Sequence, residues 1–163
     1  KFLSIKNDLD VKYDSSVDFY IYLHINSYGG YITDALAAID YIKKSEIPII
    51  LSTGISTWEI IDTAVEILVK GNAEFAILQC NSTYPAPYNE INLKVIPAMK
   101  ERYGCVIGYS GHEYGLEPSV AAVVMGAQII ERHITLDHRM WGTDQSSSIE
   151  IKAMFDHKFI SSC

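Results

Sequence analysis

The chain of 163 residues carries 20 acidic and 13 basic side chains, a formal net charge of -7. That balance disfavours a nucleic-acid binder, which needs a basic face, and an apolar content of 48% excludes a disordered chain. The longest apolar stretch, Val120–Ala127, falls well short of the roughly 18 residues of a membrane span.

The opening stretch Lys1–Asp10 has no signal-peptide pattern. Cys80, Cys105 and Cys163 form an odd set without a CxxC pair, which reads as reduced thiols in a cytoplasmic protein. A start at Lys rather than Met suggests a piece of a longer reading frame.

Residues 1–17 show no clear element. Phe19–Ile25 is the first predicted strand and Tyr31–Lys44 the helix after it, with Leu36, Ile39 and Ile42 on one face. Pro48–Thr53 is an apolar strand. Ser56 and Glu59 then match a capping box, Ile61, Ala64, Val65 and Leu68 form a helical stripe, and Gly71 ends it. Glu74–Cys80 is the third strand, followed by a helix over about Asn89–Tyr103 that Pro97 should kink or restart. Cys105–Ser110 is the fourth strand, Glu117-Pro118 opens a helix, and Gln128–Thr135 is the fifth strand. The text is polar from His138 onward, and residues 151–163 read as a tail. Nearly continuous apolar strands alternating with helices predict an α/β fold of parallel βαβ units. An open sheet and an incomplete barrel both satisfy that pattern.

In such folds the chemistry sits at the carboxyl ends of the strands, and polar residues gather there. They are Ser52-Thr53-Gly54, Cys80-Asn81-Ser82 with Tyr84, Ser110-Gly111-His112-Glu113, and Glu131, His133 and Thr135. Adjacent parallel strands lie about 4.8 Å apart, so His112 and His133 can reach one metal ion, with Glu113 and Glu131 to ligate or orient them. A hydrogen-bonded histidine pair is the alternative. Ser52, Ser82 and Ser110 can hold a phosphate or carboxylate with loop amides, or serve as ordinary turn and capping residues. Asp144, after Trp141-Gly142-Thr143, is a turn residue or part of a loop that closes over a sugar.

The segments PIILSTGIST (48–57), AILQCNSTYPAPYNEINLKVIP (76–97) and GYSGHEYGLEPSVAAVVMGAQIIERHITLD (108–137), with Gly142-Thr143-Asp144 and Ser148, resemble the catalytic domain of sialic acid synthases. The resemblance spans about residues 48–148 and implies that residues 48–150 are the second half of a (β/α)8 TIM barrel, its fifth to eighth strands. It implies condensation of phosphoenolpyruvate with N-acetylmannosamine or its 6-phosphate to an N-acylneuraminate, with release of phosphate. By the same resemblance His112 and His133 are the catalytic residues that bind a divalent metal, Mn²⁺ or Mg²⁺. Ser52, Ser82 and Ser110 contact phosphoenolpyruvate, and Tyr84 and Asp144 lie near the amino sugar. Other branches of that family have Asp at the place of Gly111 and Asn at the place of Ser82.

Residues 18–47 are similar to the early βα unit of Clp-type serine peptidases, through Asn26-Ser27-Tyr28-Gly29-Gly30. Ser56 lacks that family's nucleophile context and no histidine follows at its spacing, so no intact peptidase site is expected. The two resemblances meet near Ile47-Pro48. The expected chain therefore joins a Clp-like βα unit to half a synthase barrel without the first four strands, which implies homo-oligomerisation or poor folding. A peptidase relative without its catalytic residues, and a non-catalytic α/β fragment, are the alternatives to the synthase reading.

Overall fold

A computed structural model describes residues 48–151 and the backbone of one earlier strand, Ile21–His24. The predicted helix Tyr31–Lys44, the Asn26–Gly30 turn, segment 1–17 and the tail after residue 151 lie outside the described residues. The chain divides into two compact units, residues 1–78 and 79–163.

In the first unit, β1 (Ile21–His24), β2 (Ile49–Ser52) and the start of β3 (Phe75–Cys80) run parallel. Ile21 pairs with Ile49, and Ile49 in turn with Phe75. Helix α1 (Trp58–Lys70) buries Ile61, Ala64, Val65 and Leu68, the stripe that its period predicts. Ala64 and Leu68 pack with Ile49 and Leu51 of β2, and Ile67, Ala73 and Phe75 close the edge of this core. Gly71 ends the helix, its N–H donating to the Ile67 carbonyl at 3.0 Å. The expected capping box does not form. The Ser56 N–H closes a turn onto the Thr53 carbonyl at 3.0 Å through Gly54, whose φ is +52. That turn moves the cap one residue on, to Thr57, which has no side-chain cap bond.

In the second unit, β4 (Val106–Gly111) pairs in parallel with β5 (Ile129–Arg132), from Gly108 opposite Ile129 to Gly111 opposite Arg132. Helix α2 (Val95–Tyr103) buries Ile96 and Met99, and helix α3 (Glu117–Val124) buries Pro118, Ser119 and Ala122; both pack on β4. Pro97 falls in the first turn of α2, where the N–H has no intrahelical acceptor to lose. It restarts the helix after a 3₁₀ turn at Tyr88–Glu90 rather than kinking a longer one.

The predicted fifth strand, Gln128–Thr135, is two strands. β5 stops at Arg132, and β6 (Ile134–Thr135) pairs in parallel with β7 (Ile149–Glu150). The break is His133, whose carbonyl accepts the Ile149 N–H at 2.7 Å. The polar stretch after His138 thus folds back through a 3₁₀ turn at Gln145–Ser147 to supply β7. Parallel β/α units are the architecture, as the apolar strands and helical periods predict; the Clp-like unit is not among the described elements apart from the backbone of β1.

Candidate functional site

The loop ends of β3, β4 and β5 bring most of the sequence-selected residues of the second unit together. His112 follows the last residue of β4 and is buried at 1% exposure. Its Nδ1 lies 2.5 Å from the Asn81 carbonyl. A carbonyl only accepts, so Nδ1 carries a proton, and the neutral form of the ring has its lone pair on Nε2. The Tyr84 hydroxyl donates to that Nε2 at 3.0 Å, and the Ser110 Oγ stands 3.5 Å from it. The Tyr84 ring also stacks on the imidazole, centroid to centroid 4.0 Å with planes 25° apart. The buried Cys80 thiol lies 4.0 Å from Nδ1.

His133 meets this group edge-on. Its ring centroid is 5.2 Å from that of His112 and 5.4 Å from that of Tyr84. Its Nδ1 is 3.7 Å from Asp144 Oδ2. Asp144 sits at the start of the 3₁₀ turn, and its carbonyl accepts both the Ser147 and Ser148 hydroxyls. Burial, then the charges of Cys80, Asp144 and Glu131, pushes the Tyr84 phenol up to about 12. Tyr84 is therefore a proton donor at neutral pH.

Ser52 ends β2, buried, in the first unit. Ser82 is half-buried in the loop after β3 and makes no hydrogen bond to another described residue. Trp141, on the loop before Asp144, is fully exposed.

A second, buried polar group lies directly beside the histidines. The Glu113 side chain is 0% exposed and that of Arg132 is 6% exposed, and Arg132 Nη1 donates to Glu113 Oε1 at 2.5 Å. Tyr109 donates to the other carboxylate oxygen at 2.6 Å. Burial first, then this hydrogen bond, raises the Tyr109 phenol well above its ordinary value. Sequence reasoning offered Glu113 as a ligand or orienting group and overlooked Arg132 and Tyr109. The available signal was charge: an acid follows one strand-end histidine and a base precedes the other. Glu113 turns to Arg132 and not to the imidazoles.

The donors with the chemistry for a divalent ion are His112 and His133, with Glu131 beside them in sequence. His112 has the arrangement of a metal-binding imidazole in one respect, with one nitrogen donating to a backbone carbonyl, while the other accepts from the Tyr84 hydroxyl. Glu131 Oε2 is buried without a hydrogen-bond partner, a carboxylate oxygen that a cation would satisfy. Among the described residues, no three His, Cys, Asp or Glu side chains close on one point.

Imidazoles, hydroxyls and a carboxylate thus stand on the loop ends of parallel β/α units, the place where α/β folds carry their sites. Residues 15–158 match the NeuB family, and the chain belongs to it. The match runs through residues 18–47 as well, and the Clp-type resemblance there gains no support from it. Among its relatives, the N,N'-diacetyllegionaminic acid synthase of Campylobacter jejuni is 41% identical over 124 residues, 74% of this chain and 37% of that protein. The human N-acetylneuraminate-9-phosphate synthase is 38% identical over 119 residues, 72% of this chain and 33% of that protein. The crystal structure of an N-acetylneuraminic acid synthetase from Leptospira borgpetersenii, in complex with citrate, superimposes with a TM-score of 0.77 at 33% identity. That match covers 86% of this chain and 47% of the other. The chain thus spans between a third and a half of the length of these relatives. Among the described residues, no helix is long and apolar enough to cross a membrane.

Proposed function

We propose that this chain carries the metal-binding part of a synthase site that joins phosphoenolpyruvate to an N-acetylmannosamine-type sugar. In this reading residues 48–150 form the second half of a (β/α)8 barrel. The reaction bonds the methylene carbon of phosphoenolpyruvate to the sugar aldehyde carbon. Water adds at the neighbouring carbon that carries the phosphate, and phosphate leaves from that carbon. The names of the relatives support the reaction class, because they make N-acetylneuraminate, its 9-phosphate and legionaminate. The observation that carries the reading is the pair of edge-to-face imidazoles, their ring centroids 5.2 Å apart, with the His112 lone pair set on Nε2 by the Asn81 carbonyl.

His112 and His133 would hold Mn²⁺ or Mg²⁺, which supplies Lewis-acid polarisation of a carbonyl oxygen when bound. Asn81 fixes the His112 tautomer, and Asp144 orients His133 from 3.7 Å. The Tyr84 phenolic oxygen and the exposed side of the Asp144 carboxylate accept hydrogen bonds from sugar hydroxyls. Ser110, with Ser82, supplies hydroxyls for the phosphoenolpyruvate anion.

The test is a Mn²⁺ titration followed by electron paramagnetic resonance of the free ion, on the wild-type chain and a His112→Ala/His133→Ala variant. The wild type should remove the free-ion signal and the variant should leave it. Equal binding by both overturns the assignment. Phosphate release from phosphoenolpyruvate that depends on N-acetylmannosamine is the catalytic readout.

A further inference from the structure

The ladder between β4 and β5 ends at Gly111 opposite Arg132. His112 and His133 each come one residue later, outside the last ladder pair, so strand pairing alone does not fix their spacing. The Arg132 guanidinium bridges that gap. Nη1 donates to Glu113 Oε1 at 2.5 Å, to Ser119 Oγ at 2.9 Å and to the Gly115 carbonyl at 3.0 Å. Nη2 donates to the Glu113 carbonyl at 2.7 Å and reaches the Ser147 carbonyl at 3.5 Å. Three pieces of chain are thereby tied to the residue before His133. They are the turn that leaves His112, the first turn of α3, and the 3₁₀ turn that Asp144 opens.

Such a buried pair is a poor way to gain stability. Desolvation offsets much of its attraction, and well-packed apolar side chains often do as well. Arg132 Nε is in addition buried without a partner. The space for the pair is also reserved. A Cβ on Gly111 would stand 2.9 Å from Glu113 Oε1, 3.0 Å from Arg132 Cδ and 2.8 Å from Tyr109 Cε1.

From this arrangement we infer that Arg132 and Glu113 are positioning residues, which set the distance between His112 and His133 and the approach of Asp144 to His133. The inference uses the metal reading above for one of its readouts and stands apart from it in the other. The test compares the wild type with an Arg132→Met/Glu113→Leu double variant and with Arg132→Lys, which keeps the charge but loses the planar fork. Each is assayed for unfolding midpoint in urea, for Mn²⁺ affinity, and for the cross-relaxation between the His112 and His133 ring protons by NMR. The double variant should fold, with its midpoint lowered only as far as the lost acceptor of the Tyr109 hydroxyl accounts for, bind Mn²⁺ at least tenfold more weakly, and lose the inter-ring signal. Arg132→Lys should move both site readouts the same way by a smaller factor, and it decides the matter if the double variant does not fold. Folded variants with Mn²⁺ affinity within twofold of wild type and an intact inter-ring signal overturn the inference. A wild type that binds no Mn²⁺ defeats the metal reading alone, since the ring-proton signal still decides whether the pair positions the histidines.

Discussion

At the scale of single residues, the Tyr84 hydroxyl and a divalent cation need the same lone pair, that of His112 Nε2. The Asn81 carbonyl forces the ring into the tautomer that presents this pair, and the Tyr84 phenol occupies it at 3.0 Å. A hydrogen bond of this kind contributes about 0.5–1.5 kcal/mol net. Tyr84→Phe keeps the ring that stacks on His112 at 4.0 Å and removes only the competing hydroxyl. Mn²⁺ affinity should therefore rise, by about two- to tenfold, a change measured by the same resonance titration. A fall in affinity would mean that the phenol is itself part of the metal's surroundings.

At the scale of elements, the chain stops its helices with glycine in two different ways. Gly71 ends α1 with an ordinary negative φ of -88, whereas Gly104 ends α2 in the left-handed region at +61, its N–H on the Lys100 carbonyl. Nothing lies within 4 Å of the place a Cβ would take on Gly104. The strain of Gly104→Ala is then purely that of the backbone, about 1–2 kcal/mol, read as a lower urea midpoint with unchanged Mn²⁺ binding. The Gly71 stop is legible in the sequence as Gly after a periodic run, and so is the α1 stripe. The break at His133 is not. The β-branched pattern of Ile129, Ile130, Ile134 and Thr135 reads as one strand, and only the distant partner Ile149 turns the end of it away. The carboxyl-end location of the site was legible for the same reason that the strands were, since polar residues cluster where apolar runs stop. The Glu113–Arg132 pair was hidden because adjacency to a histidine suggests a role on the histidine. The direction of the Glu113 side chain is set by Tyr109 and Arg132 through tertiary packing.

At the scale of the whole molecule, charge and surface pull in opposite directions. A net charge of -7 keeps like chains apart. Against it, Ile134, Leu136, Met140 and Trp141 are all exposed within one short stretch around and after β6, with Trp141 wholly open to solvent. Large apolar side chains gathered on a surface mark an interaction site more often than isolated ones do. Because the repulsion is screened by salt while the apolar attraction is not, self-association should strengthen as ionic strength rises. Sedimentation velocity on the full chain at low and high salt checks this, with a Leu136→Ser/Trp141→Ser variant alongside. The expected result is a sedimentation coefficient that grows with concentration for the wild type, more steeply at high salt, and a variant that stays near the value of one chain. A wild type that sediments as a single chain under both conditions would show that charge alone suffices to keep these residues in water.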